Sequence, residues 1–399
     1  MKFKLKYGLI LLTLLSVPTF GQDESETFEE EPTEKKWKEK IDFGGYVKYM
    51  TTVQFLDVDN IYVDNLLHNR LNFKWMPNKH WTFSIEMRNR VFYGETQKLN
   101  PNFNSLIGTD PGVIDMSWNL LESNSMLINS TIDRANIEFN KGKWNVRLGR
   151  QRINWGMNLA WNPNDLFNAY NFIDFDYQER PGSDALRIQY FNKPMSQIEL
   201  AYKPGKDLDH SIIAGMYRFN KKGYDFQFIA ANYNSDVTAG FGWAGNIVNV
   251  GFKGEISYFH PKYRFSDTTG ALVSSISFDY TFKKGLYINV AGLYNSAGPQ
   301  KSSLAQLQSM NSTLSAKNLL PTQFAAFVQL AGSFNPIFGG GISVMYLPSI
   351  NGVFFIPTLS YSIRENWDID LVGQVLFAES NNNFINLSNS IFLRLRWSF

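Results

Sequence analysis

The sequence predicts an all-β chain: a single transmembrane antiparallel β-barrel of about 18 strands (about 16 as the alternative), with short periplasmic turns and long extracellular loops. Three observations carry this. From Ile41 onward the hydrophobic period is two. Short turn signals alternate along the chain with much longer connections. Aromatic residues make up 16% of the 399 residues and charged ones only 19%, yet mean hydropathy is −0.25. One soluble core does not combine those values. A chain with one face toward lipid and the other toward water does.

The N-terminus sets the compartment. Lys2, Lys4 and Lys6 precede an apolar run over 8–17, and Thr19 and Gly21 supply small residues ahead of Gln22. This pattern predicts a secretory signal peptide over 1–21, its apolar run too short to span a bilayer. Residues 22–40 carry Asp23, Glu24, Glu26, Glu29, Glu30, Glu31, Glu34 and Glu39 against Lys35, Lys36, Lys38 and Lys40. That composition predicts an acidic, solvated periplasmic tail and a candidate contact for a periplasmic partner. Residues 41–399 are then one barrel, in the outer membrane of a Gram-negative cell.

The last segment shows the alternation best. Ile391, Leu393, Leu395, Trp397 and Phe399 share one face; Phe392, Arg394, Arg396 and Ser398 share the other. The same pattern predicts strands near 42–56, 62–76, 80–93, 130–140, 143–153, 184–192, 195–203, 210–219 and 224–234. It continues near 237–246, 248–259, 272–282, 286–295, 323–335, 341–348, 353–364, 367–378 and 391–399. Tight turns are expected at Pro77-Asn78-Lys79, Asn140-Lys141-Gly142, Asn192-Lys193, Asn220-Lys221-Lys222-Gly223, Gly245-Asn246, Lys283-Lys284-Gly285 and Arg364-Glu365-Asn366. Long connections are expected over 94–129, 154–183, 260–271, 296–322 and 379–390.

Alternation alone also suits a soluble sandwich. Here the polar face carries too many charges for a packed core, and the apolar face ends in Trp, Tyr or Phe, as interfacial girdles require. Trp397 and Phe399 close the chain on an aromatic strand resembling the C-terminal signal read by the barrel assembly machinery. A lipid-facing sheet must also close, because no backbone group can stay unpaired in hydrocarbon.

Opposite parity then lines the lumen. Strands one to six and the last send in Lys48, Arg70, Lys74, Arg88, Arg90, Arg134, Arg147, Arg187, Arg394 and Arg396 against Glu86 and Glu138. The opposite wall sends in Glu199, Asp225, Glu255, Asp279, Asp368 and Asp370. A lumen basic on one side and mildly acidic on the other carries a transverse field that favours anions or acidic sugars. Arg150 shares parity with Leu148, so either a bulge at Gly149 turns it inward, the preferred reading, or the strand has left the hydrocarbon there. The stretch 154–183 holds Trp155, Asp165, Asp174 and Asp176, candidates for a constriction loop facing the arginines, and Asn164 or Asp165 is a candidate helix cap. A surface flap is the alternative.

Other chemistries are excluded or unsupported. With no cysteine, disulfides, thiolate metal sites and lipoprotein acylation drop out, and a net charge of +2 does not point to nucleic acid. His68, His80, His210 and His260 show no nucleophile–base arrangement, and no metal or nucleotide motif is present. Neither enzyme activity nor a cofactor or metal is expected. Arg147-Leu148-Gly149-Arg150-Gln151, Trp155-Gly156, Pro163 and Asp165, with Trp243-Ala244-Gly245 and Gly254-Glu255-Ile256-Ser257-Tyr258-Phe259, resemble segments of porin-like outer-membrane channels related to the alginate-export type. The resemblance implies a monomeric many-stranded channel for polar solutes. A barrel subunit of an export or assembly complex, its lumen plugged, is the alternative.

Overall fold

Alternation becomes hydrogen-bonded strand along almost the whole chain. A computed structural model describes residues 40–55, 60–171, 174–176, 179–263, 265–302, 314–380 and 383–399. The expected signal peptide and the acidic tail up to residue 39 lie outside the described residues. The strands are β1 (Ile41–Phe55), β2 (Ile61–Asn78), β3 (Trp81–Gly94), β4 (Ser117–Glu122), β5 (Met126–Lys141), β6 (Trp144–Gln151), β7 (Ser183–Lys193), β8 (Ser196–Lys203), β9 (Ile212–Lys221) and β10 (Tyr224–Tyr233). They continue as β11 (Asp236–Ile247), β12 (Val250–Pro261), β13 (Ala271–Thr281), β14 (Tyr287–Asn295), β15 (Phe324–Asn335), β16 (Phe338–Leu347), β17 (Gly352–Arg364), β18 (Trp367–Ser380) and β19 (Asn383–Ser398).

All pairings between these strands are antiparallel, and β1 pairs with β19 from Tyr46↔Ser398 to Phe55↔Asn389. Eighteen strands thus close a barrel, with β4 an extra strand that pairs only with β5. Gly45 and Phe399 seal the seam, their backbones bonded at 2.9 and 3.0 Å. Among the described residues no helix is long and apolar enough to cross a membrane.

The outside is apolar. Leu67, Ile85, Leu148, Leu200, Phe228, Ile276, Val290, Ile342, Leu371 and Leu393 are all exposed there. At the short-turn end the surface is aromatic: Trp75 stacks on Phe83, Phe252 on Phe278 and Trp367 on Trp397, and Trp144 packs tilted against Tyr190. Phe399 sits between Trp397 and Phe43, so the ring runs across the seam.

Several expectations need correction. Residues 379–380 and 383–390 are strand, not loop: the β18–β19 ladder runs to Ser380↔Asn383. Asn and Ser side chains there do not interrupt a backbone ladder. The connection 94–129 contains α1 (Glu95–Leu99), α2 (Phe103–Gly108) and β4. The turn expected at Gly245-Asn246 falls at Val248-Asn249, because Gly245↔Phe252 and Asn246↔Gly251 still pair. No helix forms among the described residues of 154–182, so neither Asn164 nor Asp165 caps one. Gly149 makes no bulge. It takes φ +111°, and Asn136, Gly149 and Ala185 keep their register on both sides.

The largest departure is inside. The inward faces of β8 to β16 near the long-loop end carry Ala201, Met216, Ile229, Tyr233, Phe259, Val273, Leu293, Phe327 and Met345, all buried. They form one apolar cluster with Ile153, Trp155, Trp161, Leu166 and Phe167 from the loop 152–182 and Leu319 and Leu320 from the loop 296–323. Apolar contact drives these loops into the barrel, as it drives any core together. Half of the lumen near that end is therefore dry.

Candidate functional site

The other half is lined by β1 to β5 and β19 and is charged. Parity explains most of it: Lys48 pairs with Arg396 and with His68, and Arg70 with Arg88, so their side chains share the inner face. A β-bulge adds one more group. Glu86 pairs with Arg134 but Met87 with Ile132, so Asp133 is the extra residue in β5. Asp133 and Arg134 both turn inward and both are buried. Parity alone assigns Asp133 outward, and a carboxylate on a lipid face was the signal that could have found the bulge.

Asp133 Oδ2 accepts from Arg70 Nη1 at 2.6 Å and lies 3.6 Å from Arg88 Nε. Arg70 Nη2 reaches Glu86 at 2.6 Å. A second cluster forms at the seam. Lys48 Nζ is 2.7 Å from Asp176 Oδ1, and Arg394 is 3.2 Å from it and 2.9 Å from Asp370. His68 Nδ1 lies 4.0 Å from Asp176. Burial alone opposes ionisation of Asp176, but His68, Lys48 and Arg394 outweigh it and hold its carboxyl well below the usual carboxylate range.

The loop 152–182 therefore crosses the barrel, anchored at both walls. On one side Asp176 meets the seam cluster, and Arg134 donates to the carbonyls of Glu179 and Arg180 at 2.7 and 2.9 Å. On the other, the Trp155 indole donates to Glu199 at 2.8 Å, and Glu255 accepts from the amides of Met157, Asn158 and Asn164. Asn158 and Asn164 add bonds to Ser275, Ser277 and Ser257. The surface-flap expectation for this loop is set aside.

Two expected lumen acids are corrected by this. Glu199 and Glu255 are buried beneath the loop, because a carboxylate is the acceptor that the loop's indole and amide N–H donors need. Arg150 is corrected too: it is 4% exposed and bonded to Asp184, Asp110 and the carbonyls of Ile132 and Ile114. It fills the wall where β6 ends and β4 takes over beside β5. Lys48, Arg70, Arg134 and Arg394 keep inner positions but are buried in ion pairs or loop contacts.

The remaining expected residues keep the inner face nearer the short turns. Arg396 meets Asp368 at 2.8 Å, Lys253 meets Asp279 at 2.8 Å, and Lys74 stands 3.8 Å from Asp42. Arg147 bonds Glu138, Arg187 sits beside Arg147 in register, and Asp225 accepts from Asn220 at 2.8 Å. Among the described residues no group of His, Asp or Glu side chains could hold a metal ion.

Between the loops and the basic wall lies a cavity of about 460 Å³. Arg88, Arg90 and Arg150 form its basic wall beside His68, Asp133 and Asp110, Met50, Leu66, Phe92 and Leu106 its apolar sides, and Asp174 and Asp176 its loop edge. Asp165, the remaining loop candidate, is not there. It is buried in the dry half, and loss of water pushes its carboxyl up to about 7 despite Arg152 nearby.

An 18-stranded closed antiparallel barrel with inward-folded loops and a charged lumen defines the class. Comparison with solved structures returns the same architecture. OccAB1 from Acinetobacter baumannii superposes with TM-score 0.56 at 10% identity, covering 92% of this chain and 98% of that one. A BenF-like porin from Pseudomonas fluorescens Pf-5 gives 0.56 at 10% identity over 91% and 100%. OccK5 (OpdH) from Pseudomonas aeruginosa gives 0.54 at 7% over 90% and 98%. No family model and no curated protein matches the sequence. At these identities the likeness is one of fold.

Proposed function

We propose that the chain is an outer-membrane porin-like channel for small polar or anionic solutes. The observation that carries this is the cavity of about 460 Å³ inside the barrel, floored by Arg88, Arg90 and His68. Cations held on a low-dielectric wall concentrate anions, and the acidic loop edge opposite sets a field across the path. The half-buried inner charges Lys74, Arg147 and Arg396 would extend that path toward the short turns. The fold shared with a protein described as a porin supports the reading. So does the resemblance of 147–151 and 155–165 to alginate-export-type channels, which makes acidic sugars the solute class to try first. Export by the signal peptide 1–21, insertion by the assembly machinery reading Trp397 and Phe399, and a periplasmic partner at 22–40 belong to the same proposal. A plugged subunit of an export complex is not favoured, since a cavity of about 460 Å³ lies inside the barrel beside the described loop residues.

The test is reconstitution of the full mature chain in planar bilayers. Stepwise current with a reversal potential favouring anions is expected. Absence of current at any voltage would sink the channel reading.

A further inference from the structure

We propose that Asp165 and Glu255 form a proton-controlled latch. With the Asp165 carboxyl protonated, the inner arm of the loop (153–168) stays packed in the barrel; with it ionised, the arm leaves the wall and the lumen widens. The geometry comes first. Asp165 is 1% exposed and Glu255 fully buried, and both lie between the loop and β11–β12. Glu255 uses its oxygens on three loop amides and has no cation among those partners. Neither oxygen of Asp165 has a hydrogen-bond partner in normal geometry. Asp165 sits next to Asn164, whose amide, Oδ1 and Nδ2 bond Glu255, Ser257 and the carbonyl of Phe241. It is therefore at the point where the arm is fastened.

The surrounding charges do not neutralise it. Arg152 and Arg180 act on it from a distance, the Asn168 backbone N–H is turned toward it, and Arg180 lies over the Tyr170 ring. Across the interface stand Tyr233 of β10, whose hydroxyl accepts from the Ala316 amide, and the Glu255 carboxyl. A second carboxyl and two aromatic rings make this a poor place for a negative charge. A buried carboxylate without donors costs more than its protonated form, so ionisation opposes the packed arm.

The sign follows. With the Asp165 carboxyl pushed up to about 7, the packed arm is fully favoured below the ordinary carboxylate range, loses stability as pH rises from there to about 7, and loses no more above it. Burial in the apolar cluster of Ile153, Trp155, Trp161, Leu166 and Phe167 makes the response local to that arm.

This inference goes beyond the channel reading and relies on it only for current. The experiment is amide hydrogen exchange over 153–168 on the folded full chain, corrected for intrinsic rates, with conductance recorded in parallel. In the wild type the opening equilibrium should rise by up to about tenfold per pH unit between about pH 4 and about pH 7 and level off above, and conductance should rise with it. Asp165→Asn, which fixes the neutral form, should exchange slowly at every pH. A flat wild-type profile overturns the latch, and so does an unchanged pH response in Asp165→Asn. If that variant does not fold, the wild-type profile alone decides. A silent bilayer at every pH overturns only the channel reading, because exchange reads the latch without current.

Discussion

Arg70 Nη1 lies 2.6 Å from Asp133 Oδ2 and joins β2 to β5 across the strand between them. Both side chains are nearly fully buried, and Asp133 is inward only because of its bulge. Removing Asp133 takes one of the counter-charges from the buried Arg70; breaking a buried pair costs about 3–5 kcal/mol where none remains, and less here because Glu86 stays. Asp133→Ala should therefore lower the midpoint of heat unfolding in detergent, read from the gel shift between folded and unfolded barrel. Glu86 continues to contact Arg70, so the barrel should still fold. A midpoint equal to the wild type would show that Glu86 suffices.

How much of this was legible divides at the strand face. All eighteen barrel strands follow from alternation, because a pleated strand in a closed sheet must present one parity to each side. Lys48, Arg88 and Arg394 follow from the same rule. Asp133 does not, because a single inserted residue reverses parity locally. Glu199 and Glu255 lie on the inner face yet out of water, because parity tells inside from outside but not wet from dry. Which part of the lumen is dry depends on where Trp155, Phe167 and Leu320 pack, and that is set by contacts over long sequence separation.

Lys48 fastens the far end of the same loop at Asp176. Asp176 is held well below the usual carboxylate range, so the sign is opposite to that of Asp165. Its contribution is present above the ordinary carboxylate value of about 3.9 and is lost only as pH falls through the depressed one. Protection of the Asp176 amide should stay constant from about pH 8 to about pH 4. Lys48→Ala should lower that protection across the whole range. A wild-type loss near neutral pH would contradict the assignment.

Arg88 and Arg90 floor the cavity. Reversing both, Arg88→Glu with Arg90→Glu, replaces two positive charges by two negative ones where counter-ions concentrate. Anion preference should fall and can invert, read as a shift of reversal potential in a salt gradient. The effect should shrink at high ionic strength, since screening shortens to about 3 Å at 1 M. Unchanged selectivity would place both side chains off the conducting path.

Gly149 offers a test that does not depend on function. Its φ of +111° is closed to residues with a side chain, and an added Cβ would stand 2.3 Å from the Ala135 carbonyl oxygen. That oxygen belongs to the neighbouring strand and cannot rotate away. Gly149→Ala must therefore strain its own backbone or part the β5–β6 ladder, at a cost of order 1–3 kcal/mol. Either response also moves Arg150, the next residue, away from Asp110 and Asp184. Gly142 is the control: it turns between the same two strands with φ +58°, and nothing lies within 4 Å of its added Cβ. Gly142→Ala should cost about 1 kcal/mol. The heat-unfolding midpoint should fall clearly further for Gly149→Ala, and equal midpoints would mean the ladder yields at Gly149 more easily than its geometry implies.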